Sequence, residues 1–360
     1  MNILVTGGAG FIGSNFVRYY LKEHPHAKIV NYDKLTYAGN PDNVKDLEEK
    51  YPDRYSFVKG DILDRDLFLK TITEHKIDHI INFAAETHVD RSIFGDCIDF
   101  VETNTIGVLT ILNIVRDYGA ELGIKKFLHV STDEVYGTLT LEDTKQFTEE
   151  SPFQPNMPYA AAKAGGDLLC RSYAVVHKTP VIVTHCSNNY GPYQYPEKMI
   201  PAFVFRLMKN EEIFIHGDGL NVRDWIHVID HCRGIDLALE KGKTGDVFNI
   251  GSDNERNNLT VAKMILKIMG KSESMLKFVE DRPGNDRRYA IDSSKMQKLG
   301  WEPLYPEDKF EQGLIETVNW YLTNEEWVKN SWHNHSEAYQ LNHTLEFEKK
   351  KAGVFFPENE

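Results

Sequence analysis

Only four cysteines occur in the chain's 360 residues, and Cys97, Cys170, Cys186 and Cys232 are scattered without a Cys-x-x-Cys pair. That argues against a disulfide framework or a thiolate zinc site and leaves reduced core thiols as the expectation. Positive charge is also scarce. The formal net charge is −13 and no basic stripe offsets it, which argues against a general nucleic-acid binder. Lys349-Lys350-Lys351 reads as a solvated tail run. No apolar run of about 18 residues offers a membrane span. No charged n-region precedes the first apolar run, so a signal peptide is not expected and the chain reads as cytoplasmic. His227 and His231 stand at i,i+4, but without a His-Glu-x-x-His arrangement or a third ligand no metal is expected. Low-complexity linkers and internal repeats are absent as well. What remains is a soluble chain long enough for a large core and two intimately packed lobes.

The N-terminus carries the clearest motif. Ile3-Leu4-Val5 has the composition of a buried strand, Gly7-Gly8-Ala9-Gly10-Phe11-Ile12-Gly13 follows at once, and Ser14 to Lys22 reads as a helix. The run contains both Gly8-x-Gly10-x-x-Gly13 and Gly7-x-x-Gly10-x-x-Gly13. Glycines there permit a tight turn and close approach of backbone to a pyrophosphate seated on the helix N-terminus. A second strand, from Lys28, ends in Asp33, 20 residues after Gly13. A carboxylate in that place bonds a ribose 2′-hydroxyl and repels a 2′-phosphate, which predicts NAD rather than NADP. Lys34 slightly weakens that discrimination.

Two further stretches carry chemistry. Tyr159-Ala160-Ala161-Ala162-Lys163 sets a phenol and an ammonium at i,i+4, on one face of a predicted helix. A lysine beside a tyrosine favours the phenolate, which can take a proton from a hydroxyl while the adjoining carbon gives up hydride. Ser131-Thr132-Asp133-Glu134 adds an acid–base pair that simple hydride transfer does not need. Together they suggest oxidation coupled to elimination. Each has a blander reading: Asp133 as a turn residue, Glu134 as a surface charge, Tyr159 as a helix opener with Lys163 solvated. Asp90 and Arg91 likewise read as a surface pair, and Arg223 as an ion-pair partner of Asp224.

Strands are predicted at Ile3–Val5, Ile29–Tyr32, Ser56–Lys59, His79–Phe83, Lys126–Val130 and Val181–His185. Helical patterns at Leu67–His75, Ile98–Tyr118 and Tyr159–His177 intervene, the alternation of a doubly wound, Rossmann-type parallel α/β sheet. Such sheets bind ligands at the carboxyl ends of their strands. Gly7–Gly13, Asp33, Asp61-Ile62, Ala84-Ala85-Glu86-Thr87 and Ser131–Glu134 all fall there. Turn signals become frequent after about Asn188. The expected division is a dinucleotide-binding domain over 1–187, a smaller substrate lobe over 188–330, and a C-terminal extension over 331–360 whose role is open.

On these residues the chain resembles the extended short-chain dehydrogenase/reductases, and among them the nucleotide-sugar 4,6-dehydratases, from residue 1 to roughly Trp327. The most specific segments are Asp33–Asn40, His88-Val89-Asp90-Arg91-Ser92, Ser131–Gly137, Asn188-Asn189-Tyr190-Gly191-Pro192-Tyr193 and Arg282-Pro283-Gly284. The family's epimerases share the glycines and Tyr-x-x-x-Lys but usually carry small hydroxyl residues in place of Thr132-Asp133-Glu134. The resemblance implies that Tyr159 takes the proton of the sugar 4-hydroxyl while C4 gives hydride to NAD. It further implies that Lys163 lowers the tyrosine pKa and Thr132 bonds O4, while Glu134 removes the C5 proton and Asp133 protonates the departing 6-hydroxyl. Cofactor contacts are implied at Gly7, Gly10, Phe11, Ile12, Gly13, Asp33, Lys34, Leu35, Thr36, Asp61, Ile62, Phe83, Ala84, Ala85, Glu86, Thr103, Tyr159, Lys163 and Asn189. Substrate contacts are implied at Thr87, Thr132, Asn188, Lys198, Met199, Phe214, Ile215, His216, Arg223, Asn258, Asp281, Arg282, Pro283, Gly284 and Asn285. Within these, Asn188, Arg223, Asn258 and Arg282 would hold the diphosphate. The resemblance is closest to members acting on dTDP-glucose, but Asn285 stands where those usually have histidine. UDP-glucose and UDP-N-acetylglucosamine therefore stay open as substrates. A homodimer joined through helices Ile98–Tyr118 and Tyr159–His177 is also expected. An NAD-dependent 4-epimerase and a non-catalytic nucleotide-binding protein are the alternatives from other classes.

Overall fold

The computed structural model describes residues 1–281 and 284–332. Arg282, Pro283 and nearly all of the expected C-terminal extension lie outside the described residues.

Strand β1 (Asn2–Thr6) is apolar at Ile3, Leu4 and Val5, and all three are fully buried because helices cover both faces of its sheet. It pairs in parallel with β2 (Lys28–Asp33), and β2 with β3 (Tyr55–Lys59). On its other side β1 pairs with β4 (His79–Asn82), followed by β5 (Lys126–Thr132) and β6 (Val181–Cys186), again all parallel. Three short strands, β7 (Asn188–Tyr190), β8 (Ile213–His216) and β9 (Val222–His227), lie outside this sheet. The chain then returns: β10 (Val247–Ile250) completes the sheet in the order β10-β6-β5-β4-β1-β2-β3. Strands β11 (Glu255–Asn257) and β12 (Leu276–Val279) finish the second lobe, in small sheets ordered β11-β9-β7 and β12-β8. The doubly wound parallel sheet expected from the alternation is present. Its strand order reverses between β4 and β2 around β1, which opens a ligand crevice at the carboxyl edge.

The longer helices are α1 (Phe11–Glu23), α2 (Arg65–Glu74), α3 (Val108–Leu122), α4 (Pro158–His177), α5 (Met199–Met208), α6 (Val228–Lys241), α7 (Asn258–Ile268) and α8 (Phe310–Thr323). One face of the sheet packs with α1 and α6 through Phe16, Val17, Ile235 and Leu239; the other packs with α2, α3 and α4 through Phe68, Ile111, Leu112 and Cys170. A third cluster, including Phe205, Ile265 and Leu314, is the core of the second lobe.

Two boundaries differ from the sequence reading. The expected break at 187/188 does not separate two sheets, since α6 and β10 lie beyond it yet belong to the first. The cause is the otherwise open edge of β6, which Val247–Ile250 covers with a parallel strand. The single helix expected over Ile98–Tyr118 is interrupted by a π-helical segment, Glu102–Gly107, after a short helix Ile98–Val101. Such segments favour functional sites. Here the wide turn lets Asn104 clasp Glu86, accepting its N–H at 3.0 Å and donating to its carbonyl at 3.0 Å. Counted with this segment, Ile98–Leu122 is long and apolar enough to cross a membrane, contrary to the sequence reading. Its residues Val108, Ile111, Leu112, Ile114 and Val115 are nonetheless buried in the protein core.

Asn43 ties the glycine turn to the second lobe. Its amide donates to the Ala9 carbonyl at 2.9 Å and accepts the Trp327 indole N–H at 2.7 Å. Asn43→Ala leaves the Trp327 indole N–H unpaired and takes one of two donors from the Ala9 carbonyl, which keeps the Asn40 N–H at 3.1 Å, and is expected to cost about 1–3 kcal/mol. Urea unfolding should show an earlier midpoint; an unmoved midpoint would mean that the two partners find replacements.

Candidate active site

One continuous cleft runs along the carboxyl edge of the sheet, from the glycine turn to the start of the second lobe. At its cofactor end the backbone makes the cradle. Gly7 has φ +67°, and a Cβ on Gly13 would lie 2.3 Å from the Gly7 carbonyl oxygen, so only glycine fits. Asp33 ends β2 with its carboxylate fixed by the Ala9 N–H at 2.9 Å and the Leu35 N–H at 2.7 Å. This is the donor set and shape that a dinucleotide requires, so the residues fit NAD. Lys34 pairs with Asp61 at 2.7 Å, and that engagement removes much of its pull on a 2′-phosphate. Of the residues expected to hold the cofactor, all but Leu35 line the cleft. Leu35 sits at φ +58°, lends its N–H to Asp33 and packs its side chain on the core.

At the chemical end, β5 stops at Thr132 and a 3₁₀ turn over Asp133–Tyr136 begins. Thr132 Oγ1 accepts the Glu134 N–H at 3.3 Å, which bends the chain so that both carboxyl residues face the cleft. Helix α4 begins with Pro158 at its first position, its fixed φ suited to that place. It presents Tyr159 and Lys163 to the same cleft. The Thr132 hydroxyl is near enough to Tyr159 to favour its ionised form, and Lys163 Nζ donates to the Val130 carbonyl at 2.7 Å. Both are buried, so neither the helix-opener nor the solvated-lysine reading describes them.

Burial sets the electrostatics here. Asp133 is 2% exposed, and desolvation, with Glu134 and Asp224 nearby, raises its pKa well above the ordinary value; Arg223 and Thr132 oppose this. Its Oδ2 has no hydrogen-bond partner among the described residues. Glu134 is half-buried, so the two adjacent carboxyls occupy unlike environments. Tyr159 departs from expectation. Burial, then Glu134, raises its pKa well above that of free tyrosine, and only the nearby Thr132 hydroxyl notably opposes this. Lys163 is itself pushed down by burial, against the pull of Asp167. Desolvation thus outweighs the lysine in the protein's own field. Further along, Glu86 is pushed up to about 7 by burial, with Arg91 opposing. Arg91 lies 3.6 Å from Glu86, which lines the cleft, and over the Tyr37 ring, so it backs a cleft residue rather than forming only a surface pair with Asp90.

The expected substrate residues divide. Thr87, Thr132, Asn188 and Lys198 line the cleft, with Lys198 Nζ on the Thr87 carbonyl at 2.8 Å. Arg223, Asp281, Gly284 and Asn285 cluster beyond it: Arg223 donates to Asn285 Oδ1 at 3.3 Å, and Asn285 donates to Asp281 at 2.8 Å. Arg223 and Asp224 form no ion pair. Adjacent strand residues point to opposite faces, and Asp224 accepts the Ser252 and Asn254 N–H groups instead. Met199 packs on the second core, and Ile215 is 2% exposed within it, so the Ile215 side chain cannot touch a nucleotide. Phe214 and His216 alternate with it on the exposed face, and Asn258 opens α7. The sequence reading missed Gln194, Tyr195 and Glu197, which line the cleft, and Tyr289, whose ring lies 4.3 Å from the Arg223 guanidinium. The first three follow the Asn188–Tyr193 segment directly, which was the available signal. Tyr37 also approaches Glu197, its hydroxyl donating to the carboxylate at 3.3 Å. His227 and His231 are buried; His231 Nδ1 lies 2.9 Å from Asn189 Oδ1, and no metal-binding group of three or more ligands exists among the described residues.

Residues 4–317 match the family described as GDP-mannose 4,6 dehydratase. A dTDP-glucose 4,6-dehydratase of Xanthomonas campestris pv. campestris is 48% identical over 341 residues, covering 91% of this chain and 94% of that protein. The crystal structure of dTDP-glucose 4,6-dehydratase from Bacillus anthracis in complex with NAD superposes with a TM-score of 0.84 at 49% identity, covering 92% of this chain and 99% of that one. The UDP-glucose 4-epimerase of Thermotoga maritima, solved with UDP-glucose, gives 0.80 at 30% identity, covering 90% and 99%.

The buried Asp133 carries a stability consequence. Its folded carboxyl keeps a proton above the pH at which the unfolded one, with a pKa of about 3.9, releases it. Folding stability therefore falls as pH rises past that value, because the folded state binds more protons there. Asp133→Asn removes this penalty. The variant should melt at a higher temperature than the wild type at neutral pH and not in strong acid. Equal melting temperatures across pH 4–8 would refute a raised Asp133 pKa.

Proposed function

The chain belongs to the GDP-mannose 4,6 dehydratase family, and we propose that it is an NAD-dependent dTDP-glucose 4,6-dehydratase, a lyase that forms the 4-keto-6-deoxy sugar nucleotide with loss of water. One observation carries the reading: Asp133, buried and favouring its protonated form, stands beside the half-buried Glu134 and shares a cleft with Tyr159 and Lys163. The fold alone does not decide the matter, since an epimerase of similar fold needs only the redox pair.

Each residue has a role suited to its place. The glycine turn and Asp33 would hold NAD, which when bound would supply the hydride acceptor for C4, the hydride donor for C6 and a positively charged ring. Tyr159 removes the proton of the 4-hydroxyl, and Thr132 steadies O4 as it becomes a ketone. The ketone acidifies the C5 hydrogen, which Glu134 takes as base. Asp133 gives its proton to the 6-hydroxyl, the C6–O bond breaks and water leaves. A proton then returns to C5. The bound sugar nucleotide lies toward Thr87, Asn188 and Lys198, with Arg223 and Asn285 on the diphosphate side, where Arg223's planar fork suits phosphate oxygens. Asn285 bridges Arg223 and Asp281, and this is the feature that keeps the uridine sugars in view.

Mass spectrometry of reactions with dTDP-glucose, UDP-glucose and UDP-N-acetylglucosamine tests both halves of the proposal. Loss of water is expected, fastest from dTDP-glucose; a product of unchanged mass would indicate an epimerase. Asp133→Asn should stall elimination by about 10²–10⁴-fold while C4 oxidation proceeds, so that reduced cofactor builds up in the absorbance spectrum. Turnover near the wild-type rate would overturn the role.

We also propose a homodimer. Ile98, Val101 and Ile106, with Leu168, Val175 and Val176 of α4, expose apolar surface on neighbouring helices. Light scattering at micromolar concentration should give twice the chain mass. A monomer would refute it.

A further inference from the structure

Helix α4 carries a third charged residue in line with the redox pair. Tyr159, Lys163 and Asp167 stand at i, i+4 and i+8, and all three are buried against the sheet. Asp167 has no part in the proposed chemistry and lines no part of the cleft. A carboxylate and an ammonium at this depth are tolerated only when paired and hydrogen-bonded.

The partners of Asp167 are well defined. Its Oδ2 accepts the Ser131 hydroxyl at 2.7 Å and lies 3.1 Å from His185 Nε2. Its Oδ1 lies 3.4 Å from His129 Nε2. The ring of His129 is oriented from behind, since Thr6 donates to Asn82 Oδ1 at 2.5 Å and Asn82 donates to His129 Nδ1 at 3.0 Å. His185 Nδ1 lies 2.8 Å from the Tyr136 hydroxyl. Asp167 therefore joins α4 to β5 and β6 at the residue immediately before Thr132-Asp133-Glu134.

We infer that Asp167 is a positioning residue that keeps Lys163 protonated and, through it, sets the pH at which Tyr159 can act as base. The inference rests on the dehydratase reading above. Lys163 Nζ donates to one carbonyl, that of Val130, and a carbonyl dipole alone does not hold a buried ammonium. Burial disfavours its charge, and Asp167 is foremost among the groups that support it, with Cys186 and Cys170 behind. The remaining ionisable surroundings do not replace it. His129 on β5 is driven down to about 3 by burial and is neutral. His185 and Cys186 on β6 lack a negative charge at neutral pH. In the turn after β5, Asp133 favours its protonated form and Glu134 acts on Tyr159, while Tyr136 bonds His185. Asp99, Glu102, Arg116 and Asp117 on the neighbouring helical segments are at the surface, and Arg91 is engaged with Glu86.

Asp167→Asn keeps the shape and removes the charge. Lys163 then loses its proton at lower pH, a neutral amine no longer favours the phenolate, and C4 oxidation requires a higher pH. The test follows cofactor reduction against pH after mixing with dTDP-glucose, in Asp133→Asn and in Asp133→Asn/Asp167→Asn. The second variant's midpoint should move up by about one pH unit, with the rate at neutral pH about tenfold lower. Asp167→Glu, which keeps the charge, should leave the midpoint close to its starting value. A rate reduced equally at all pH values with the midpoint unmoved would overturn the inference and indicate scaffolding alone. Absence of reduced cofactor in Asp133→Asn itself would instead count against the dehydratase reading. If Asp167→Asn does not fold, Asp167→Ser in the Asp133→Asn background decides, since it too removes the charge; its midpoint should also shift up, and an unmoved midpoint would again overturn the inference.

Discussion

Asp133 gains almost nothing from water at the end of β5, and two other carboxyl groups, Glu134 and Asp224, disfavour its negative form. The surrounding architecture is arranged around that desolvation. A parallel sheet needs helices on both faces, which buries the strand ends, and the second lobe closes over the edge where those ends collect. Groups placed there lose their ordinary acidities in directions set by their charge type. A carboxyl becomes a proton donor, as at Asp133 and to a lesser degree Glu86 and Asp224, each pushed up by burial; the last two reach about 7. An ammonium loses its hold on the proton, as at Lys163. On the proposed roles, general acid chemistry at neutral pH comes from depth, while Glu134, the proposed base, stays nearer to solvent.

The same depth makes the proposed redox pair dependent on its surroundings. Tyr159 in the protein's own field is a poorer acid than free tyrosine, because burial and Glu134 act together on the phenolate. Positive charge must be brought to it and kept there. This is why a helix carrying Tyr159 and Lys163 is anchored by a buried network of Asp167, Ser131, His185 and His129 rather than by apolar packing alone. The weakest link of that network is between Asp167 Oδ1 and His129 Nε2, which stand 3.4 Å apart without a hydrogen bond, so Ser131 and His185 supply the firm attachments of Asp167.

Much of this was legible in the sequence because local rules and the global fold agreed. The glycine turn, Asp33 and the catalytic pair after Thr132 are short-range patterns, and each fell at a strand end of the sheet that the alternation predicts. What was not legible depended on distance in the chain. Nothing in Val247–Ile250 shows that it will cover β6 rather than join the second lobe. The π-helical segment goes with the grip of Asn104 on Glu86, a contact across 18 residues that local pattern does not show. Burial of Ile215 between exposed Phe214 and His216 is simple strand alternation, visible only once the strand was recognised. The sign of the Tyr159 shift was misjudged because spacing reveals a neighbouring ammonium but not the loss of water around both groups.

The second lobe does more than receive a sugar nucleotide. Arg223 and Asp224 are consecutive on β9, so their side chains diverge, yet both act on Asp133 with opposite sign. Asp224 is fixed by the Ser252 and Asn254 N–H groups, whereas Arg223 is held by the preceding strand carbonyl, by Asn285 and over the Tyr289 ring. On the proposed roles, Arg223 is also the residue that meets the diphosphate. Phosphate oxygens arriving at Arg223 would offset the cation that opposes protonation of Asp133 and leave Asp224 acting without that opposition. Substrate binding and preparation of the acid are then one electrostatic event, which places the proton on Asp133 most firmly when there is a 6-hydroxyl to receive it.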